Sequence, residues 1–417
     1  MTHTRLTGTS AARIFLPVLA TLYMLGFTNL FLRSSFGVLA PGLASEMRLS
    51  PVELSAVASS FFFAYALMQV PTGVLLDRFG PRRTLATMLA FALVGAAVFA
   101  SASTGFGLAL GRVAMGIGCA GVFTGAFYVL ALWLPKERVV SSSGVLNSFA
   151  SLGNLAATTP LALLIFFIGW RQSYWLFAAG VALLLVSVAL LVRDRPPGSD
   201  LPSPKGDGLV TVIAGLGSVV RQPGLWRLLV LGFPISASST LAGAWGAPYL
   251  RDVHGLDDIA RGNVLLAMAL FAVCGHTFLG YASRFTNSSK MAIIAGGGGV
   301  VGGLAGLALA GQPPLWLVVA FFCLIGLAGS YPTIALAHAR GLVPVDLMGR
   351  GVSVTNMGVM LAVASMQFVF GLVVGVYPSV DGMLPEQAYR TAFGVHAVVA
   401  ALAMAIYCPI PDVRPRS

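Results

Sequence analysis

Two arginines stand where hydrocarbon is expected. Arg33 lies in NLFLRSSFGVLAP (29–41) and Arg112 in GRVAMGIG (111–118), runs that are otherwise apolar or small. A guanidinium in the bilayer core costs several kcal/mol, and it cannot escape by losing its proton. A carboxylate partner would relieve that cost. All 14 acidic residues, however, fall in loops or at span ends, seven on each side of the membrane. The chemistry left to a pair of unpaired guanidiniums is anion binding, where the planar fork of Arg gives a charge-assisted, bidentate contact. Carboxylates, sugar acids, nitrate-like ions and zwitterionic amino acids all fit. The competing readings are snorkelling or carbonyl bonding for Arg33 and a structural or coupling role for Arg112.

Neutral polar residues could line the same cavity. Asn147, Ser151, Asn154 and Thr158 fall on one helical face, with Pro160 beyond them. Asn356 and Gln367 share a face of a later segment. SASST (236–240) and Trp245 lie in another. Each set could instead be helix–helix contact or, for Trp245, an interfacial belt. His276, His338 and His396 fall in apolar segments, and His276, the deepest, is the candidate for proton coupling. The four cysteines sit in apolar segments without ligand spacing, so neither a disulfide framework nor a metal is expected. No cofactor is implied, and no nucleophile, metal set or acid/base pair suggests an enzyme.

The elements that must position these groups are membrane helices. The 417-residue chain is 57% hydrophobic and only 9% charged, against about 25% charged in soluble domains. Its mean hydropathy is +0.88. Twelve apolar segments are long enough to cross a bilayer: roughly 13–39, 52–76, 84–102, 105–133, 142–167, 171–192, 225–250, 259–282, 290–311, 315–339, 350–375 and 388–408. With both termini cytoplasmic, 18 of the 25 Lys and Arg fall inside and five outside, as the positive-inside rule requires. That placement absorbs the charge of +11 without a nucleic acid partner. On the predicted spans, Arg33 is about six residues and Arg112 about seven from the outer end, on the order of 10 Å deep. Both would then face one cavity.

The segment 193–222, rich in Pro, Gly, Ser and charge, reads as a cytoplasmic linker between a six-span half (1–192) and a second (223–417). LPKERVVSSSGVLN (134–147) matches VPVDLMGRGVSVTN (343–356), WRQSY (170–174) resembles YRTAF (389–393), and DRFGPRR (77–83) has an echo in SRFTNSSK (283–290). A duplicated six-span unit is a transporter architecture with its site near the midplane.

GVLLDRFGPRR (73–83), between the second and third spans, resembles the G-x-L-x-D-R-x-G-x-R-R signature of the major facilitator superfamily. The resemblance implies an all-α fold of twelve helices in two pseudo-symmetric six-helix bundles. It also implies a cytoplasmic latch in which Gly73 allows close helix approach, Asp77 meets a helix N-terminus, and Arg78, Arg82, Arg83 and, from the second copy, Arg284 pair with acids and helix ends. Arg33, Phe36 and Pro41 match the first-helix pattern of the organophosphate:phosphate antiporters, and the region is also similar to the anion:cation symporters. In both branches this Arg contacts an anionic substrate. Ser239 stands where the phosphate exchangers carry a second Arg, and Cys119 where the symporters often carry a coupling Glu.

The leading expectation is therefore a monomeric secondary transporter in a bacterial inner membrane, importing a small anion by alternating access, with coupled protons in play. A drug or metabolite exporter of the same fold is the rival, although the fifth segment lacks a Gly-Pro pair. A transporter-like sensor would need a signalling domain, and the ends MTHTRLTG and PDVRPRS are too short for one.

Overall fold

The computed structural model describes residues 9–194, 225–342 and 348–412. Ten helices among them are long and apolar enough to cross a membrane, and one bent pair forms a further span. One of the ten, Pro51–Ser101, has 51 residues. Straight, it would measure about 75 Å, more than twice the roughly 30 Å of hydrocarbon. It turns at Gly80, whose φ of 78° and ψ of 166° are non-helical. Only glycine takes that conformation without strain, and Pro81 then starts the next helix with its φ already set. The run is thus two crossings, α2 (51–79) and α3 (81–101).

The other spans are α1 (Leu16–Glu46), α4 (Gly105–Trp133), α5 (Arg138–Ala156 and Thr159–Ile168, bent by 47°), α6 (Trp170–Leu191), α7 (Trp226–His254), α8 (Asp258–Phe285), α9 (Ser289–Leu309), α10 (Leu315–His338), α11 (Ser353–Val374) and α12 (Glu386–Tyr407). Twelve crossings bring both chain ends to one face, here the terminal face. Most of the linker expected over 193–222 lies outside the described residues, as does Pro344 of the internal repeat.

Four spans are interrupted near the membrane centre, and three of these breaks bear on the site. α1 consists of Thr9–Ser34 and Phe36–Glu46, with Ser35 between. Pro41 lies inside the second piece, and a proline disturbs the turn before it. The span therefore continues past the expected end at 39. Arg33 is 13 residues from Glu46, about 20 Å from that end, which corrects the expected depth of about 10 Å. α5 breaks before Thr159-Pro160. α7 carries a π-turn, Leu241–Trp245, a local widening that re-aims side chains and recurs at functional sites.

The two halves repeat a terminal-face detail. After the Gly80 corner, the Arg82 backbone N–H donates to Asp194 Oδ1 at 2.9 Å. In the second half Asn287 takes the positive φ of 47°, and the Lys290 N–H donates to Asp412 Oδ1 at 3.0 Å. Each half thus caps the first turn of its third span with a carboxylate that follows its sixth, where the helix dipole favours negative charge.

Candidate functional site

The break in α1 presents Arg33 at the midplane. Its guanidinium crosses from the first half to the second and donates from Nη2 to Ser239 Oγ on α7 at 3.1 Å. It also lies over the Phe62 ring, 5.3 Å from the centroid. Tyr65 and Asn29 lie close by, Tyr65 beside Arg33 itself. No carboxylate touches Arg33 among the described residues, which leaves its charge with a hydroxyl and a ring face. Next to it, Ser34 Oγ donates to Asn154 Oδ1 at 2.6 Å, and Asn154 is half-buried. On the far side of Ser239, the buried Gln367 donates from Nε2 to the Ser239 carbonyl at 3.1 Å, while its Oε1 has no partner. Arg33, Ser239 and Gln367 are thus joined across α1, α7 and α11, and Ser34 with Asn154 of α5 forms a second polar pair beside Arg33 in the chain; together they make up the Arg33 cluster.

Arg112 is not part of it. It is fully buried in the first half, donating to the Leu32 carbonyl at 2.9 Å and the Ala58 carbonyl at 3.5 Å. Its guanidinium lies 4.4 Å from the Phe61 centroid and 5.2 Å from that of Phe36. Carbonyl dipoles and ring faces stabilise the charge in place of a carboxylate. The expectation of two guanidiniums facing one cavity is corrected: Arg112 ties α4 to α1 and α2, just before the α1 break.

Other expected residues separate in the same way. Trp245 is buried, donates from Nε1 to Ser55 Oγ at 3.1 Å and stacks on Phe370 at 5.2 Å, so it is neither in an interfacial belt nor open to a ligand here. Asn147 and Ser151 are turned to their own helix, bonding the carbonyls of Ser143 and Asn147 at 3.0 Å each. Asn356 lies near the terminal end of α11, three turns from Gln367, so the two do not meet. His276 is exposed on α8, and His396, at the middle of Glu386–Tyr407, lies nearer the centre of its span, which corrects the expectation that His276 is the deepest histidine. His338 bonds Tyr407 and the Pro411 carbonyl, and His396 bonds Ser236 and the Phe233 carbonyl, so both are held in packing.

The predicted latch residues lie on the terminal face. Arg82 turns into its own half, to the Ala189 carbonyl and Asp194. Arg78, Arg83 and Arg284 are exposed. A Cβ at Gly73 would meet nothing within 4 Å, so the expected close approach at Gly73 is absent from this conformation.

The halves meet elsewhere. Between described residues, the hydrogen bonds that join them lie at the midplane or nearer the opposite face: Arg33 to Ser239, Trp245 Nε1 to Ser55 Oγ, Ser55 Oγ to the Gln367 carbonyl at 2.9 Å, Thr159 Oγ1 to Asn263 Oδ1 at 2.8 Å, and Arg251 Nη1 to the Pro41 carbonyl at 3.1 Å. Gly37 seals that side, since a Cβ there would come within 1.9 Å of the Ala242 carbonyl in the π-turn. The molecule is closed on the opposite face, and the cluster lies beneath the seal.

Ser34, Phe62, Tyr65 and Ser55 carried no expectation from the sequence, whereas Ser239 was expected both as part of the polar SASST run (236–240) and as the position where the phosphate exchangers carry a second Arg. One signal was present: Asn29 and Arg33 are four residues apart, on one face of the helix. Ser239 carried no such signal, because its role depends on a partner in the other half.

A family model described as Major Facilitator Superfamily matches residues 22–365. The chain is 26% identical to a probable sulfoacetate transporter of Cupriavidus necator, over 93% of this chain and 92% of the relative. It is also 26% identical to a probable L-galactonate transporter of Escherichia coli, over 69% and 68%. The crystal structure of a bacterial homologue of the human lysosomal transporter Spinster, inward-facing and occupied, superposes with a TM-score of 0.75 and 17% identity, covering 94% of this chain and 96% of that one.

Proposed function

The chain belongs to the Major Facilitator Superfamily, and from that premise we propose that it moves a small organic anion across a bacterial inner membrane by alternating access, with Arg33 binding the negative group. It is a transporter, not an enzyme. The observation that carries the reading is the state of Arg33: a permanent cation at the midplane, at the junction of the halves, held by one neutral hydroxyl and one ring. A bound carboxylate would supply the missing countercharge. The relatives named for sulfoacetate and L-galactonate support an anion as the substrate class. The lysine and arginine distribution supports cytoplasmic termini, which makes the closed face the outer one and this conformation inward-facing. Import is the direction we infer. Of the three histidines within spans, His276 is the one with an exposed side chain and the candidate for coupling to protons. The latch assigned to Asp77, Arg78 and Arg82 would engage the second half when the inner face closes.

The test is the substrate affinity of folded Arg33→Lys protein against a panel of carboxylates and sulfonates. Lysine keeps the charge but loses the fork. A charge-assisted contact is worth about 1.5–3 kcal/mol, so affinity should fall roughly tenfold to a hundredfold while the melting temperature holds. Unchanged affinity would reassign Arg33 to packing.

A further inference from the structure

On the outer side, a second arginine spans the halves in the reverse sense. Arg251 ends α7 and belongs to the second half. Its Nη1 donates to the Pro41 carbonyl of α1 at 3.1 Å, its Nη2 to the Gly382 carbonyl at 3.3 Å, and its Nε to Asp252 Oδ1 at 2.7 Å. All three guanidinium nitrogens are used. Asp252 is in turn fixed within its own half. Its side chain is 1% exposed, and Oδ2 accepts from the Leu384 N–H at 3.1 Å and the Tyr389 hydroxyl at 2.6 Å. The Gly382 carbonyl is aimed by a tight reversal. Val380 and Met383 exchange backbone hydrogen bonds at 2.9 and 3.0 Å around Asp381 and Gly382, both at positive φ, the Asp-Gly pattern of a type I′ turn.

We propose that Arg251 is the outer gate brace, a positioning residue that holds the outer side closed through the Pro41 carbonyl and releases it when the carrier opens outward. Two of its three bonds stay within its own half, so opening breaks only the third. The guanidinium keeps its carboxylate throughout and never becomes an uncompensated charge. Partly exposed, it can take water in place of Pro41. Among hydrogen bonds between described residues, Arg33 and Arg251 are the two charged groups that cross the halves; the remaining bonds are neutral. Arg33 is placed for the substrate to compete for it, whereas Arg251 is placed so that the substrate cannot reach it. The outer ion pair of Arg171 with Glu46 differs, because both partners belong to the first half.

The inference rests on alternating access and not on the identity of the substrate. The experiment places spin labels at Ser103 and Gln312, exposed in the outer loops of the two halves, with the exposed Cys274 and Cys408 replaced by Ser. Distance distributions are recorded without substrate in nanodiscs. Arg251→Gln should raise the long-distance, outward-open population at least fivefold over the parent. Arg251→Lys, which keeps a charge beside Asp252 but cannot serve three acceptors in one plane, should give a smaller rise and decides the matter if the Gln variant does not fold. Arg171→Gln, which removes an outer charge pair without crossing the halves, should leave the distribution unchanged. Distributions for Arg251→Gln or Arg251→Lys indistinguishable from the parent, or an equal rise in Arg171→Gln, overturn the brace. Failure of the anion reading would appear separately, as unchanged affinity in Arg33→Lys.

Discussion

Arg33 and Arg112 begin with the same problem, a permanent charge in the membrane with no carboxylate nearby, and the fold solves it twice in different ways. Arg112 is enclosed by one half. Two backbone carbonyls accept its hydrogen bonds, two phenylalanine faces cover it, and no surface of it reaches the cavity. Arg33 extends out of that half to a serine on the other and stays half-exposed, its charge met by a hydroxyl and a ring face. The comparison teaches that the presence of an intramembrane arginine says little about its role. What distinguishes the two is how completely the protein itself neutralises the charge. The enclosed guanidinium of Arg112, bonded through both Nη atoms with its Nε left without a partner, holds helices together, and the half-exposed one of Arg33 is available to a ligand.

That contrast can be broken most decisively at Arg112. Arg112→Met removes the donor to the Leu32 and Ala58 carbonyls that ties α4 to α1 and α2, and hydrogen bonds from a charged donor are worth about 1.5–3 kcal/mol each. A loss of about 3 kcal/mol or more in stability is expected, read as a large drop in melting temperature and in monodisperse yield. If the purified Met variant melted like the parent but failed to bind substrate, the assignments of the two arginines would be reversed. Arg33→Lys should show the opposite pattern, with an unchanged melting temperature and affinity reduced roughly tenfold to a hundredfold.

The smallest effect sharpens the comparison. Ser239 occupies the Arg33 fork that an anion would use. Ser239→Ala should free it and tighten anion binding by about twofold to tenfold, less than the roughly 1.5–3 kcal/mol of a hydrogen bond from a charged donor because water takes the place of Ser239 at the half-exposed guanidinium. Titration calorimetry on the Ala variant reads this directly. Weakened binding would mean that Ser239 joins Arg33 in holding the substrate.

Much of the architecture was legible in particular residues. Gly80-Pro81 marked the corner between two helices that otherwise run together for 51 residues. Thr159-Pro160 marked the bend in α5. The first span was expected to end at 39, but it runs to Glu46 with Pro41 inside the second piece of a broken helix. Gly73 was matched to its motif, but a Cβ there would meet nothing within 4 Å in this conformation. Of the polar stripe in α5, only Asn154 joins the Arg33 cluster. The helical period places four residues on one face but does not say how far along that face the cavity extends.

The sequence by itself determined that this chain lives in a bilayer, crosses it twelve times and keeps carboxylates out of the core. Those properties follow from local hydropathy, helical period and the cost of charge in hydrocarbon, each a sum over neighbouring residues. The tertiary structure alone decided which arginine is enclosed and which is free, because neutralising a charge depends on the groups that other helices bring to it. Arg33 meets a hydroxyl 206 residues away, and Arg112 meets carbonyls 80 and 54 residues away. No local pattern in the chain encodes those encounters.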